Sequence, residues 1–279
     1  MKAILLLISI IPSVALGWGA AGHRTVCQVA YEEMESTTQA AVDRLIELDP
    51  EFNTFADSCL FADGPPRIRA IDHYINVPRS YLAITRSDCP MADSCLFSAI
   101  ALEADILSNT NSADAYKLLA LKLLGHWVGD LHQPLHVSYQ DDRGGNFIPK
   151  KGDTDHGNIH SVWDFDIIQQ RIGSDYSQIA ARLRNEITDR DRALWSYDST
   201  VEWANESYQI TIAAKTEYCT QQQGACWYSA NNMMIDEGEP RRELNASERY
   251  LTIHKESVEL RLKQAGVRLA ALLDAAFNL

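Results

Sequence analysis

Positive charge is in short supply: 25 lysines and arginines stand against 38 aspartates and glutamates, a formal net charge of −13 over 279 residues. That balance argues against a protein whose affinity for nucleic acid rests on a broad basic face, although bound cations can supply positive charge locally. After the amino-terminal stretch, no apolar run approaches the roughly 20 residues that a membrane-spanning helix needs. CxxC pairs are absent, so thiolate zinc sites have little support. There is no repeat and no low-complexity linker, and a single domain is expected. Strand-like alternation is sparse. What is plentiful is apolar residues, 46% of the chain, enough to bury a sizeable core.

The amino terminus reads as a targeting segment. Met1-Lys2 precedes the apolar run Ala3 to Ile11, and Ala15-Leu16-Gly17 supplies a small-residue cleavage pattern. A basic start, a short apolar stretch and such a site are the marks of a secretory signal peptide. Residues 1–17 are therefore expected to be removed, leaving a domain of residues 18–279 in a secreted or periplasmic protein. Six cysteines, Cys27, Cys59, Cys89, Cys95, Cys219 and Cys226, all lie in that domain. An even count in an exported chain points to disulfides. Cys89/Cys95 and Cys219/Cys226 are the expected local bridges, which leaves Cys27/Cys59. Asn205-Glu206-Ser207 and Asn245-Ala246-Ser247 are glycosylation acceptors if the host is eukaryotic.

Apolar residues recur at helical spacing in His23–Met34, Thr37–Leu48, Phe97–Leu107, Ala113–Leu131, Trp163–Arg171, Tyr176–Ile187, Val201–Thr220 and Asn245–Phe277. Ser36 with Gln39 three residues on reads as a capping box. One hairpin is expected around Gly144-Gly145-Asn146-Phe147-Ile148, where the glycines mark a turn. The fold class is all-α: one compact multi-helix domain with at most a small β-hairpin.

Histidines carry the chemistry. His126 and Asp130 lie four apart within a helical pattern, so both side chains sit on one helix face and can reach one ion. His160 and Asp164 repeat that spacing, and His136 follows the proline that ends the first helix. Asp63, His73 and His23 lie upstream. Neutral imidazole with carboxylate is a donor set suited to zinc, and a carboxylate can bridge two ions. Taken singly, each His-x-x-x-Asp is an ordinary structural pair more often than a ligand pair; two on apolar helices with further histidines nearby shift the balance. His132, His156 and His254 lack that context and are expected to face solvent or support other side chains. Asp141-Asp142-Arg143 reads as a solvated loop.

These motifs together resemble the secreted class I nucleases of plants, fungi and some microbes. The likeness rests on Trp18-Gly19-x-x-Gly22-His23, Ala62-Asp63, His73-Tyr74-Ile75-Asn76, Gly125-His126-x-x-Gly129-Asp130 with Gln133-Pro134-Leu135-His136, Gly144-Gly145-Asn146, and Asn158-Ile159-His160-x-x-x-Asp164, and extends to Ala265–Ala270. The resemblance implies a helical fold shared with bacterial zinc-dependent phospholipase C and three Zn2+ per chain. One ion would sit on Asp63, His73, His126 and Asp130, and a second on the α-amine and carbonyl of Trp18, on His23 and on the bridging Asp130. The third would be held by His136, His160 and Asp164. It further implies cleavage of single-stranded DNA and RNA to 5′-nucleotides, with 3′-nucleotides as additional substrates. A metal-activated hydroxide oriented by Asp63 would attack phosphorus, with zinc stabilising the 3′-oxygen as it leaves. Arg67 would clamp phosphate, Tyr74 would stack on an unpaired base and Asn76 would meet its edge, with Asn146 a further substrate contact.

Two other readings stand beside the nuclease. A zinc phospholipase C could occupy the same scaffold, but the short Trp18-to-His23 gap, the His136-to-His160 spacing and Asp at 164 favour the nuclease branch. A secreted zinc-sequestering protein without catalysis would leave no open coordination position. Nothing in the sequence calls for a protein partner or an oligomer, and a monomer is expected.

Overall fold

The structure, a computed structural model, describes residues 18–87, 89–152, 157–196, 199–218, 220–222, 225–227 and 243–278. Ten α-helices are described: α1 (Ala20–Glu33), α2 (Ser36–Ile46), α3 (Phe55–Ser58), α4 (Leu96–Ser108), α5 (Asp114–His132), α6 (Ile159–Ser161), α7 (Tyr176–Glu186), α8 (Asp189–Trp195), α9 (Thr200–Thr211) and α10 (Glu248–Phe277). The π-helical turns Val162–Asp166 and Ile168–Ile172 extend α6. The long α10 packs along α1 and also meets α4 and α5. Every residue of α5 from Ala120 to His132 is buried, and a helix apolar on nearly all sides belongs at a core. His126 and Asp130 therefore project from the central helix. Pro134, which cannot continue the helix, opens the 3-10 turn Pro134–His136 that redirects the chain.

Strands are few and short. β1 (Ile75–Val77) pairs with β2 (Val137–Tyr139) in parallel, Ile75 against Val137. β3 (Lys150–Lys151) pairs in parallel with β6 (Leu244–Asn245), and β4 (Thr220–Gln222) antiparallel with β5 (Ala225–Trp227). The hairpin expected at 144–148 is absent: Gly144 and Gly145 turn with φ of +65° and +83° and pair with no strand. The capping box expected at Ser36 is also absent. Glu35 is the N-cap of α2, and Gln39 donates instead to the carbonyl of Tyr31. The helix expected to run to Thr220 stops at Thr211. Disulfides join Cys27 to Cys59 and Cys89 to Cys95. The first closes a loop of 32 residues, worth about 4 kcal/mol of unfolded-state entropy in the chain-entropy account. It ties α1 to the segment that carries Asp63. The expected Cys219/Cys226 bridge and His156 lie outside the described residues, as do residues 1–17. Among the described residues no helix is long and apolar enough to cross a membrane.

Candidate metal centre

Five separate stretches of chain deliver the predicted ligands to one place. His23 comes from the first turn of α1 and Asp63 from the 3-10 turn Phe61–Asp63. His73 ends the 3-10 turn Ala70–His73. His126, Asp130 and His136 come from α5 and the turn after it, and His160 and Asp164 from the α6 stretch. The parallel β1–β2 ladder begins at Ile75 and Val137, two residues beyond His73 and one beyond His136, and holds the two side by side. His23, His73, His126 and Asp130 are wholly buried, and His136, His160 and Asp164 nearly so.

Hydrogen bonds to the backbone set the imidazole tautomers. His126 donates Nδ1–H to the Cys59 carbonyl at 2.7 Å and His160 donates Nδ1–H to the Gly144 carbonyl at 2.7 Å. His73 donates Nε2–H to the Ile68 carbonyl at 3.0 Å, and His136 donates Nδ1–H to the carbonyl of His73. A carbonyl can only accept, so in each neutral ring the opposite nitrogen carries a lone pair. Those lone pairs face one another. His136 Nε2 stands 3.2 Å from His160 Nε2, and His126 Nε2 stands 3.2 Å from His73 Nδ1.

Carboxylate oxygens point into the same spaces. Asp130 Oδ2 is 2.9 Å from His73 Nδ1 and 3.3 Å from His126 Nε2, while its Oδ1 is 3.3 Å from His23 Nε2. Asp63 Oδ1 lies 3.6 Å from His126 Nε2 and 3.7 Å from His73 Nδ1. Asp164 Oδ2 lies 3.4 Å from His160 Nε2. Both ring nitrogens of His23, and Asp63 Oδ1, Asp130 Oδ1 and Asp164 Oδ2, are buried without a hydrogen-bond partner.

Burial holds His23, His73 and His136 below the usual imidazole range and brings His160 to about 4. His126 is the exception: burial pushes it down, but Asp130 and Asp63 outweigh that and raise it. Burial also pushes Asp164 well up, with Gln133 the hydrogen-bond donor opposing it. Acceptors converging on acceptors in a dry interior repel unless a cation lies between them. A tetrahedral zinc with ligands at about 2.0–2.1 Å spaces its donor atoms about 3.3 Å apart, close to the spacings found here. Backbone carbonyls behind metal-binding imidazoles are likewise a recurrent arrangement. The residues fit a cation centre. Three groups can each hold an ion: His23/Asp63/His126, His73/His126/Asp130 and His136/His160/Asp164. Asp130 faces the rings of four histidines, His23, His73, His126 and His136, with its two oxygens.

The remaining predicted residues fall around this floor. Trp18 is fully buried beside His23, and the Gly19 N–H donates to the Asp164 carbonyl at 2.9 Å. Tyr74, Asn76, Asn146, Arg67, His136 and His160 line one open cleft of about 780 Å³. For Arg67 the sequence leaves a phosphate clamp and an ion pair equally open, and its Nε lies 3.2 Å from Asp63 Oδ1. His132 and His254, expected either to face solvent or to support other side chains, are fully buried, which excludes the first. His132 accepts from Arg268 and donates to the Val128 carbonyl, and His254 donates to that of Lys215. Asp142, expected in a solvated loop, is also fully buried. Sequence reasoning assigned no role to Gln133, which donates to Asp164, or to Arg143 and Phe147 in the cleft.

Three convergent donor groups on an all-helical scaffold define a metal-dependent class of enzyme. The S1/P1 Nuclease family matches residues 18–278, and the chain belongs to that family of phosphodiester-hydrolysing nucleases. It is 30% identical to Endonuclease 3 of Arabidopsis thaliana, over 95% of this chain and 90% of that one. With Endonuclease 2 of the same plant it shares 29% identity over 94% and 91%. With Nuclease S1 of Aspergillus oryzae it shares 28% over 92% and 91%.

Proposed function

We propose that the protein is a secreted, monomeric, zinc-dependent nuclease that cleaves single-stranded DNA and RNA to 5′-nucleotides and also dephosphorylates 3′-nucleotides. In this reading residues 1–17 are a signal peptide, and its removal frees the Trp18 amine. The observation that carries it is the set of facing imidazole lone pairs and carboxylate oxygens without hydrogen-bond donors, reached through His136 and His160 from a cleft of about 780 Å³. Asp63, His73, His126 and Asp130 would hold one zinc, and Trp18, His23 and Asp130 a second. His136, His160 and Asp164 would hold a third. Bound zinc supplies positive charge against the phosphate and lowers the pKa of water.

The chain's own residues do the rest. Asp63 is less deeply buried than Asp130 and is paired with Arg67, which lines the cleft, so its carboxylate can orient the attacking water and take its proton at Oδ2. Arg67 holds Asp63 Oδ1 in place and offers its remaining guanidinium donors to phosphate oxygens. Tyr74 presents a ring for base stacking, which needs an unpaired base and tolerates any sequence. The Asn76 and Asn146 side-chain amides, able to donate and to accept, suit a base edge.

The test uses mature protein loaded with zinc, offered denatured DNA, RNA, 3′-AMP and phosphatidylcholine. Hydrolysis of the first three, with 5′-phosphate ends on the polymer products, is expected. Hydrolysis of the lipid alone would falsify the assignment. One residue added ahead of Trp18, checked by mass spectrometry, should cut activity severely; unchanged activity refutes a role for the Trp18 amine.

A further inference from the structure

Outside the metal centre, the Asp142 carboxyl group is fully buried and held from three sides. Its Oδ1 accepts the Gly145 N–H at 2.9 Å, the Tyr218 hydroxyl donates to both oxygens at 2.7 and 2.6 Å, and an Arg79 Nη2–H reaches Oδ2 at 3.0 Å. Asp141 takes the other side of the same guanidinium at 2.7 and 2.8 Å. Arg79 lies over the ring of Tyr139, which stacks on Tyr218. A buried carboxyl group tied to Gly145, Tyr218 and Arg79 is a fixed anchor.

What it anchors is the turn Arg143-Gly144-Gly145, three successive residues at positive φ. Backbone of that shape is costly for a side chain and needs to be held. At Gly144 a Cβ would also meet the Leu135 carbonyl at 2.4 Å. The Asp142 carbonyl adds a bond from the Phe147 N–H at 3.1 Å, so both polar ends of Asp142 fasten the turn. The Gly144 carbonyl is the acceptor of His160 Nδ1–H, which directs His160 Nε2 at His136 and Asp164.

We infer that Asp142 is a positioning residue for the His136/His160/Asp164 group: by fixing the Gly144 carbonyl it sets the tautomer and orientation of His160. The inference rests on the reading of these residues as metal ligands. It extends the outward chain from ligand to carbonyl by one more link, and outer partners of ligating histidines commonly contribute about 10–100-fold in metal affinity. Tyr218 acts in the same sense through Asp142, with its hydroxyl also accepting from Ser138 at 2.8 Å.

The experiment titrates the full mature protein with buffered zinc, counting bound equivalents by metal analysis, alongside nitrogen NMR of the histidine rings. For Asp142→Asn a single zinc equivalent should move to about 10–100-fold higher free zinc while the others stay in place. The His160 ring should also lose its single Nδ1–H signature. Tyr218→Phe should move the same equivalent less far, and it carries the test if Asp142→Asn fails to fold by circular dichroism. Wild-type protein that takes up no zinc overturns the metal reading and this inference together. Wild type that binds zinc while the folded variants titrate identically, with His160 unchanged, overturns the inference alone.

Discussion

Gly129→Ala sets two effects of known size against each other. Gly129 lies inside α5, one residue before Asp130. Alanine in a helix interior is favoured over glycine by about 0.8–1.0 kcal/mol, so helix propensity alone predicts a more stable protein. The structure predicts otherwise. A Cβ at 129 would stand 2.7 Å from His23 Nδ1 and 3.1 Å from its Cε1. Ordinary contact begins near 3.4 Å, so the ring must retreat by roughly 0.7 Å (3.4 − 2.7). Metal distances tolerate only about ±0.2 Å, and overpacking a core costs about 1–3 kcal/mol. The His23 ring is stacked on His126 at 3.9 Å and enclosed, leaving it little room to yield. The net change in stability of the metal-free protein should be a loss of about 0–2 kcal/mol, and the group containing His23 should lose its ion. Urea denaturation of the apoprotein and metal analysis of the loaded protein measure the two parts. A variant stabilised by about 1 kcal/mol that keeps its full metal complement refutes the close packing of His23 against α5.

Asp130→Asn keeps the shape of the side chain and removes its charge from between His23, His73 and His126; zinc should be lost from two groups and turnover abolished, and full metal retention contradicts the bridge. Tyr74→Ala should raise KM on single-stranded DNA by about 10–100-fold, the worth of about 1–3 kcal/mol of stacking on one base, with zinc content unchanged; loss of zinc instead would mean that Tyr74 serves to pack His73. His254 governs part of the acid stability. Burial first, then Lys215, depresses it to about 4, so between pH 6.5 and 4 the unfolded chain binds a proton that the native chain does not. Stability present at neutral pH therefore falls as pH drops through that window, by roughly 3 kcal/mol. In urea titrations His254→Gln should lack this component; curves for the two proteins that run parallel from pH 7 to 4.5 would remove it as the cause.

Which parts of this molecule could be read from one chain follows from how local each cause is. Helical spacing at positions 126 and 130, or 160 and 164, is a local property and placed four candidate ligands on two helical stretches, where the structure has them. The two disulfides joined the cysteines expected, one of them across six residues. Where the deciding partner is distant, the local pattern misleads. Helix α8 has no buried residue and hence no apolar period, so the sequence reading passed over it; the structure shows a capping box of Thr188 with Asp191 at its start. Asp142 looks like its polar neighbours until Tyr218, 76 positions away, turns out to hold it inside. For Arg67 the sequence leaves clamp and ion pair open, and only the fold names Asp63 as the partner. The same distinction applies within the metal centre itself. Residue types announce that imidazoles and carboxylates are present, but a metal site needs lone pairs aimed at a common point. Their aim depends on which carbonyl takes each ring proton, and Ile68, Cys59, His73 and Gly144 fill that role only after α5, the β1–β2 ladder and the glycine turn have assembled. The list of candidate ligands is a property of the sequence; the convergence of their lone pairs is a property of the fold.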